Sequence, residues 1–126
     1  GALLGVAIFL LVYGTAPLNV ANDAFCRGGY IEKDIQQHYA GWLFYKRSAI
    51  GWPLGVTDAV NYPGGVSVAY TDSIPLLAVL CRPLTALGGT FQYFGWFTLV
   101  CFALQGGFGT LNSLFKNSTG SPSVGR

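Results

Sequence analysis

The residues with the most chemical potential fall in one run, "EKDIQQHYAGWLFYKR", at residues 32–47. It holds the chain's only histidine, two of its five acids and three of its seven bases. Asp34 and His38 are four residues apart, so on a helix they lie one turn apart on one face. That pairing admits three chemistries. Asp34 can serve as a general base beside a membrane-level cleft, taking a proton from a hydroxyl. Asp34 and His38 can be two ligands of a metal, although no third ligand is identifiable. Or the segment is an interfacial amphipathic helix, with Asp34 satisfying its N-terminus and His38 solvated.

The spacing predicts the helix that must carry them, over about residues 31–47. Ile35, Tyr39, Trp42 and Leu43 recur at a 3.6 period and form its apolar face. Asp34, Gln37, His38, Gly41 and Tyr45 form the opposite stripe, read as exposed, with Gly41 leaving room above it. Lys46 and Arg47 close the C-terminal end, where cations suit the helix dipole.

A second acid, Asp72, precedes "SIPLLAVLCR". It reads either as the N-cap, with Ser73, of a short helix over about residues 73–82, or as a second functional carboxylate. Pro75 fits the first turn. That helix is too short to span a bilayer and reads as re-entrant or interfacial. Before it, "GWPLG" and "NYPGG" are Pro/Gly turns. Their Trp52 and Tyr62 can wall a pocket or sit in the membrane interface. "VSVAY" alternates like a strand but has no evident partner.

These elements sit in a chain of 126 residues with 52% hydrophobic and only 10% charged residues. An average soluble domain carries roughly 25% charged residues. A net charge of +2 without a basic run argues against nucleic acid. The spacing of Cys26, Cys81 and Cys101 matches neither a metal nor a redox motif. Residues 1–22 and 83–115 carry no charge, which disfavours a soluble domain. The expected fold is therefore an all-α membrane protein. Residues 1–20 form the first transmembrane helix, and residues 91–110 the second. Residues 21–90 form a long extracytoplasmic loop, and residues 111–126 a disordered cytoplasmic tail. The tail's Lys116 and Arg126, with no acid, place it inside by the positive-inside rule.

Three stretches together, "KDIQQHYAGWLFYKR", "WPLG…NYPGGVSVAYTDSIPLLAVL" and "FQYFGWFTLVCFALQGGF", carry a resemblance across about residues 18–108. They resemble the N-terminal region of an uncharacterised family of bacterial multi-spanning membrane proteins, itself similar to the GT-C class of membrane glycosyltransferases. The resemblance implies sugar transfer from a polyprenyl-phosphate donor to an extracytoplasmic acceptor at the bacterial inner (plasma) membrane. It implies Asp34 as the catalytic carboxylate, with Gln37, His38 and Asp72 lining the site. It puts Lys46 and Arg47 on a lipid phosphate and allows a divalent metal. GT-C enzymes have many more spans, so the chain is expected to be an N-terminal piece, inactive without the helices of the remainder. The competing expectation is a small non-enzymatic membrane protein that assembles through its Gly-rich second span.

Overall fold

A computed structural model describes residues 1–28, 33–87 and 89–118. Helix dominates, with one small sheet. The chain divides into two compact units, Gly1–Thr15 with Trp96–Arg126, and Ala16–Gly95.

The first unit pairs α1 (Ala2–Tyr13) with the body of the last helix, α5 (Phe94–Ser118). Their contact depends on missing side chains. A Cβ on Gly5 would lie 2.0 Å from the Phe102 carbonyl oxygen, and one on Gly106 would lie 2.5 Å from that of Gly1. Small residues allow helix backbones to approach this closely, which is how apolar helices pack without a hydrophobic drive between them. Phe9 is buried beside Phe102, with ring centroids 5.9 Å apart. The outer surface is apolar: Leu3, Leu11, Leu104, Phe108, Leu114 and Phe115 are all exposed.

At 25 residues and ~1.5 Å per residue, α5 is about 37 Å long, which exceeds the ~30 Å hydrocarbon layer. It is the one described helix long and apolar enough to cross a membrane. It starts later and runs further than the expected span at residues 91–110. Residues 111–118, expected as disordered tail, are its last turns, because Leu111, Leu114 and Phe115 continue the apolar pattern. The rest of the expected tail, residues 119–126, lies outside the described residues. The helix expected over residues 1–20 runs only over the 12 residues of α1. It stops at Gly14, whose φ of 69° takes the chain out of the helix, before Pro17 is reached.

The second unit is folded, not an open loop. After a short 3-10 turn (Ala16–Leu18) come α2 (Ala24–Arg27), α3 (Lys33–Arg47), strands β1 (Val56–Thr57) and β2 (Val66–Ser67), and α4 (Pro75–Cys81). A 3-10 segment, Arg82–Leu87, extends α4. The strand in "VSVAY" finds its partner: β2 pairs antiparallel with β1, Val56 opposite Ser67 and Thr57 opposite Val66. A cis Trp52–Pro53 bond precedes β1, and a cis Tyr62–Pro63 bond lies in the loop between the strands.

The core of this unit gathers around α3. Trp42 is fully buried, its ring 5.1 Å from that of Tyr93 and 6.3 Å from that of Phe91. Its indole N–H donates to the Phe91 carbonyl at 2.9 Å. Cys26, Tyr39, Tyr45, Val68, Ala78 and Phe94 complete the cluster. The picture of α3 lying on a membrane with its aromatics in lipid is thereby overturned, since those aromatics are covered by protein. The "exposed stripe" is corrected as well. Gly41 is buried because the turn at residues 71–74 lies on it, and Tyr45 is buried with its ring under the Arg82 guanidinium.

Candidate functional site

The site begins with a glycine. A Cβ at Gly41 would sit 2.0 Å from the Thr71 carbonyl oxygen, so only glycine admits this backbone against α3. The admitted turn is strained. Asp72 (φ 55°) and Ile74 (φ 53°) are both left-handed, and for a β-branched residue such as Ile74 that is a genuine outlier. Such conformations cost of order 1–3 kcal/mol each and persist only where their surroundings hold them. Several contacts hold this one. The ring Nδ1 of His38 bonds the Asp72 carbonyl, and the Tyr93 hydroxyl donates to the Ser73 carbonyl. Thr71 Oγ1 donates to the Val68 carbonyl at 2.9 Å and lies 3.1 Å from Ser73 Oγ.

The turn changes the role of Asp72. Ile74 occupies the N-cap position of α4 and no side chain caps it, so Asp72 is not the cap that its place before Pro75 suggests. Its carboxylate is turned toward α3, where the Gln37 amide donates to Oδ2 at 2.6 Å. A carbonyl only accepts, so this bond requires a proton on His38 Nδ1. Three of the predicted site residues, Gln37, His38 and Asp72, thus come together. Asp34 stands one turn before Gln37 and His38 on the same side of α3. It is exposed and has no hydrogen bond among the described residues.

Below these polar groups runs a cleft of about 340 Å³ between α3 and the hairpin, walled by Phe44, Val60, Val66 and Tyr70, with Gln37 and Asp72 at its polar end. Asp34, Gln37, Gly41 and Phe44 mark one line along α3, so the free carboxylate lies just beyond the polar end. A concave, mainly apolar site with few polar groups is the usual form of a small-molecule site, and this volume is near the small end of their range.

Lys46 and Arg47 do not join it. Lys46 lies nine residues beyond Gln37, or about 13 Å along the helix. Its ammonium reaches toward the Gly89 carbonyl at 3.5 Å, and burial, with repulsion from Arg47, holds its pKa below the usual lysine value. Arg47 is exposed. Among the described residues no three His, Cys, Asp or Glu cluster as metal ligands. Asp34 and His38 alone are two donors short of a four-coordinate site.

A second polar cluster was not foreseen. Asp23 Oδ2 accepts from Arg27 Nε at 2.7 Å and from the Tyr39 hydroxyl at 2.9 Å, tying α2 to α3. The bond from Tyr39, and then Arg27, holds the Asp23 carboxyl below its usual pKa. Burial, and then Asp23, pushes the Tyr39 hydroxyl up to about 12. The i,i+4 spacing of Asp23 and Arg27 was the available signal. The cleft walls left no such signal, since the hairpin pairing brings Val60, Val66 and Tyr70 to α3 from far along the chain.

Fold and site together define a mainly helical protein with one membrane-length helix and a folded segment bearing an acid-rimmed cleft. The chain belongs to the family described as a domain of unknown function, DUF6311, whose model matches residues 2–122. No curated protein and no solved structure matches it.

Proposed function

We propose that this chain is the N-terminal part of a GT-C-like integral membrane glycosyltransferase, which moves a sugar from a polyprenyl-phosphate donor to an extracytoplasmic acceptor. The observation that supports this reading is the joining of Asp72 to Gln37 and His38 beside one cleft, with Asp34 one turn before them on α3. Asp34 is the base. It makes no hydrogen bond among the described residues and is placed to take the proton of an acceptor hydroxyl as the oxygen attacks the anomeric carbon and the polyprenyl phosphate departs. Asp72, Gln37 and His38 hold the sugar-bearing partner in place.

The cleft itself offers no cation to the departing phosphate. Lys46 and Arg47, or groups from further helices of a longer protein, are left to neutralise it, and a divalent metal would serve the same end. The Gly5 and Gly106 contacts favour α1 lying in the bilayer beside α5 as a second span. The segment bearing the cleft then faces the extracytoplasmic side of the bacterial inner membrane, with the end of α5 and its Lys116 inside.

The test is Asp34→Asn in the full-length membrane protein, with transfer assayed from polyprenyl-phosphate sugars. Asp34 makes no hydrogen bond among the described residues, so folding should be unaffected. We expect transfer to fall at least 100-fold, within the ~10²–10⁴-fold contribution of general-base catalysis. Unchanged transfer would rule Asp34 out as the base.

A further inference from the structure

We propose that the cleft beside Asp72 takes a neutral, hydroxyl-bearing ring, and that the donor's phosphate is held outside it. The inference rests on the glycosyltransferase reading and adds which substrate part this cleft receives. The polar end fixes the class of ligand. Asp72 Oδ2 already accepts from the Gln37 amide, at 2.6 Å. What remains for a ligand is Asp72 Oδ1 and Gln37 Oε1, both acceptors, and the second N–H of the Gln37 amide. A ligand that satisfies both oxygens brings O–H or N–H donors, and one that also accepts, as a hydroxyl does, meets the remaining N–H.

Phosphate brings mainly acceptors and a like charge. No Lys, Arg or His lines the cleft to offset it. The nearest predicted phosphate ligands, Lys46 and Arg47, lie at the far end of α3. An ammonium would satisfy the carboxylate but must shed water against the hydrocarbon of Val60 and Val66. A sugar ring meets both demands: its hydroxyl edge reaches Asp72 and Gln37, while its C–H face lies on Phe44 or Tyr70. Tyr70 is 85% exposed, so its ring is open to such a contact. The strained turn presents Asp72 to this position, and Gly41 lets the turn come close enough.

The probe is a set of methyl glycosides of common hexoses, with inorganic phosphate and ethanolamine as the rival ligands. The full-length protein in lipid nanodiscs carries Tyr70→Trp as a fluorescent reporter on the cleft wall. We expect at least one glycoside to shift the reporter saturably in the millimolar range, with no shift from phosphate or ethanolamine. Asp72→Gly removes the carboxylate while keeping a residue at ease at φ 55°, and should weaken binding at least tenfold. Gln37→Leu, on the exposed side of α3, should weaken it severalfold. Saturable binding of phosphate or ethanolamine overturns the proposal, as does failure of every glycoside to saturate below 100 mM. So does glycoside binding indifferent to both substitutions.

Binding is read without donor or turnover, and also in Asp34→Asn. Glycoside binding in a protein that transfers no sugar removes the glycosyltransferase reading and leaves the cleft's ligand class standing. Transfer by a protein whose cleft ignores glycosides does the reverse.

Discussion

Both units bring backbones together through glycine, yet they spend the closeness differently. In the unit of α1 and α5, Gly5 and Gly106 let two smooth helices touch, and what surrounds them is hydrocarbon. In the unit around α3, Gly41 admits a strained turn, and what surrounds it is a web of hydrogen bonds. Among the described residues no buried side-chain nitrogen or oxygen lacks a partner. A close approach between regular helices gives packing alone. A close approach between a helix and an irregular turn places a carboxylate, Asp72, where a helix by itself could not.

The comparison breaks most visibly at the glycines. Gly41→Val should be the most damaging single change. The colliding atom is backbone, and the turn that owns it is fixed by His38 and Tyr93, so it cannot retreat. We expect a loss of about 3 kcal/mol or more, at the upper end for overpacking. Thermal unfolding in detergent, followed by near-UV dichroism of Trp42 and Tyr93, reads it. Gly5→Val meets the Phe102 carbonyl at the same 2.0 Å but should separate two helices and leave that aromatic signal in place. Gly109→Ala is the control: no atom lies within 4 Å of its Cβ, and the helix should gain up to ~1 kcal/mol. Equal damage from Gly41→Val and Gly109→Ala would remove the packing role given to Gly41.

The next largest effect should come from Gln92. It is fully buried, donating to the Pro17 carbonyl at 2.8 Å and the Asn19 carbonyl at 3.2 Å, and accepting from the Gly95 N–H at 3.1 Å. Gln92→Leu keeps the bulk and strands these partners, at a cost of about 1–3 kcal/mol. A glutamine within an uncharged stretch prefers a protein partner over lipid. Which partner was not readable, because the carbonyls it satisfies lie more than seventy residues away.

That pattern holds more widely. Periodicity located α3 to within two residues, and Pro75 marked the first turn of α4, since both signals are local. Gly41, on the stripe of α3 that reads as exposed, is buried because a distant turn covers it, and periodicity knows nothing of the covering element. Asp72 before a proline reads as a cap, and two left-handed residues turn it away. The α3 residues of the site, Asp34, Gln37 and His38, were legible as types on one stripe. The cleft they rim was not, because it exists only once β1 meets β2.

A smaller effect is expected from the Asp23 cluster, and it carries a pH signature. The folded state holds Asp23 below its usual pKa, so its contribution is present above the unfolded value and is lost as pH falls through the folded one. Tyr39 is raised, from its usual 10 to about 12, so the folded state retains a proton that the unfolded chain releases. Stability should fall as pH rises from 10 toward 12. Tyr39→Phe should flatten the alkaline limb, and Asp23→Asn the acid limb, each costing about 1 kcal/mol near neutrality through the lost hydrogen bond. Limbs unchanged in both variants would detach the cluster from folding.

The smallest effect on stability belongs to Trp52, and there the two units come closest in surface character. Trp52 is 88% exposed, flanked by the exposed Ile50 and Leu54, in a stretch without acids that follows Lys46 and Arg47. Trp52 walls a small cleft of about 180 Å³ with Pro53, Val56 and Asp58, and its exposed ring also suits the headgroup level. Trp52→Ala should change stability by no more than ~0.5 kcal/mol, as for surface changes generally. In nanodiscs of brominated lipid, the fully buried Trp42 should keep its fluorescence, while Trp52, and Trp96 in α5, are quenched. Quenching of Trp96 alone would limit the lipid-facing surface to the helix pair, and the apolar loop before β1 would then be free to meet protein.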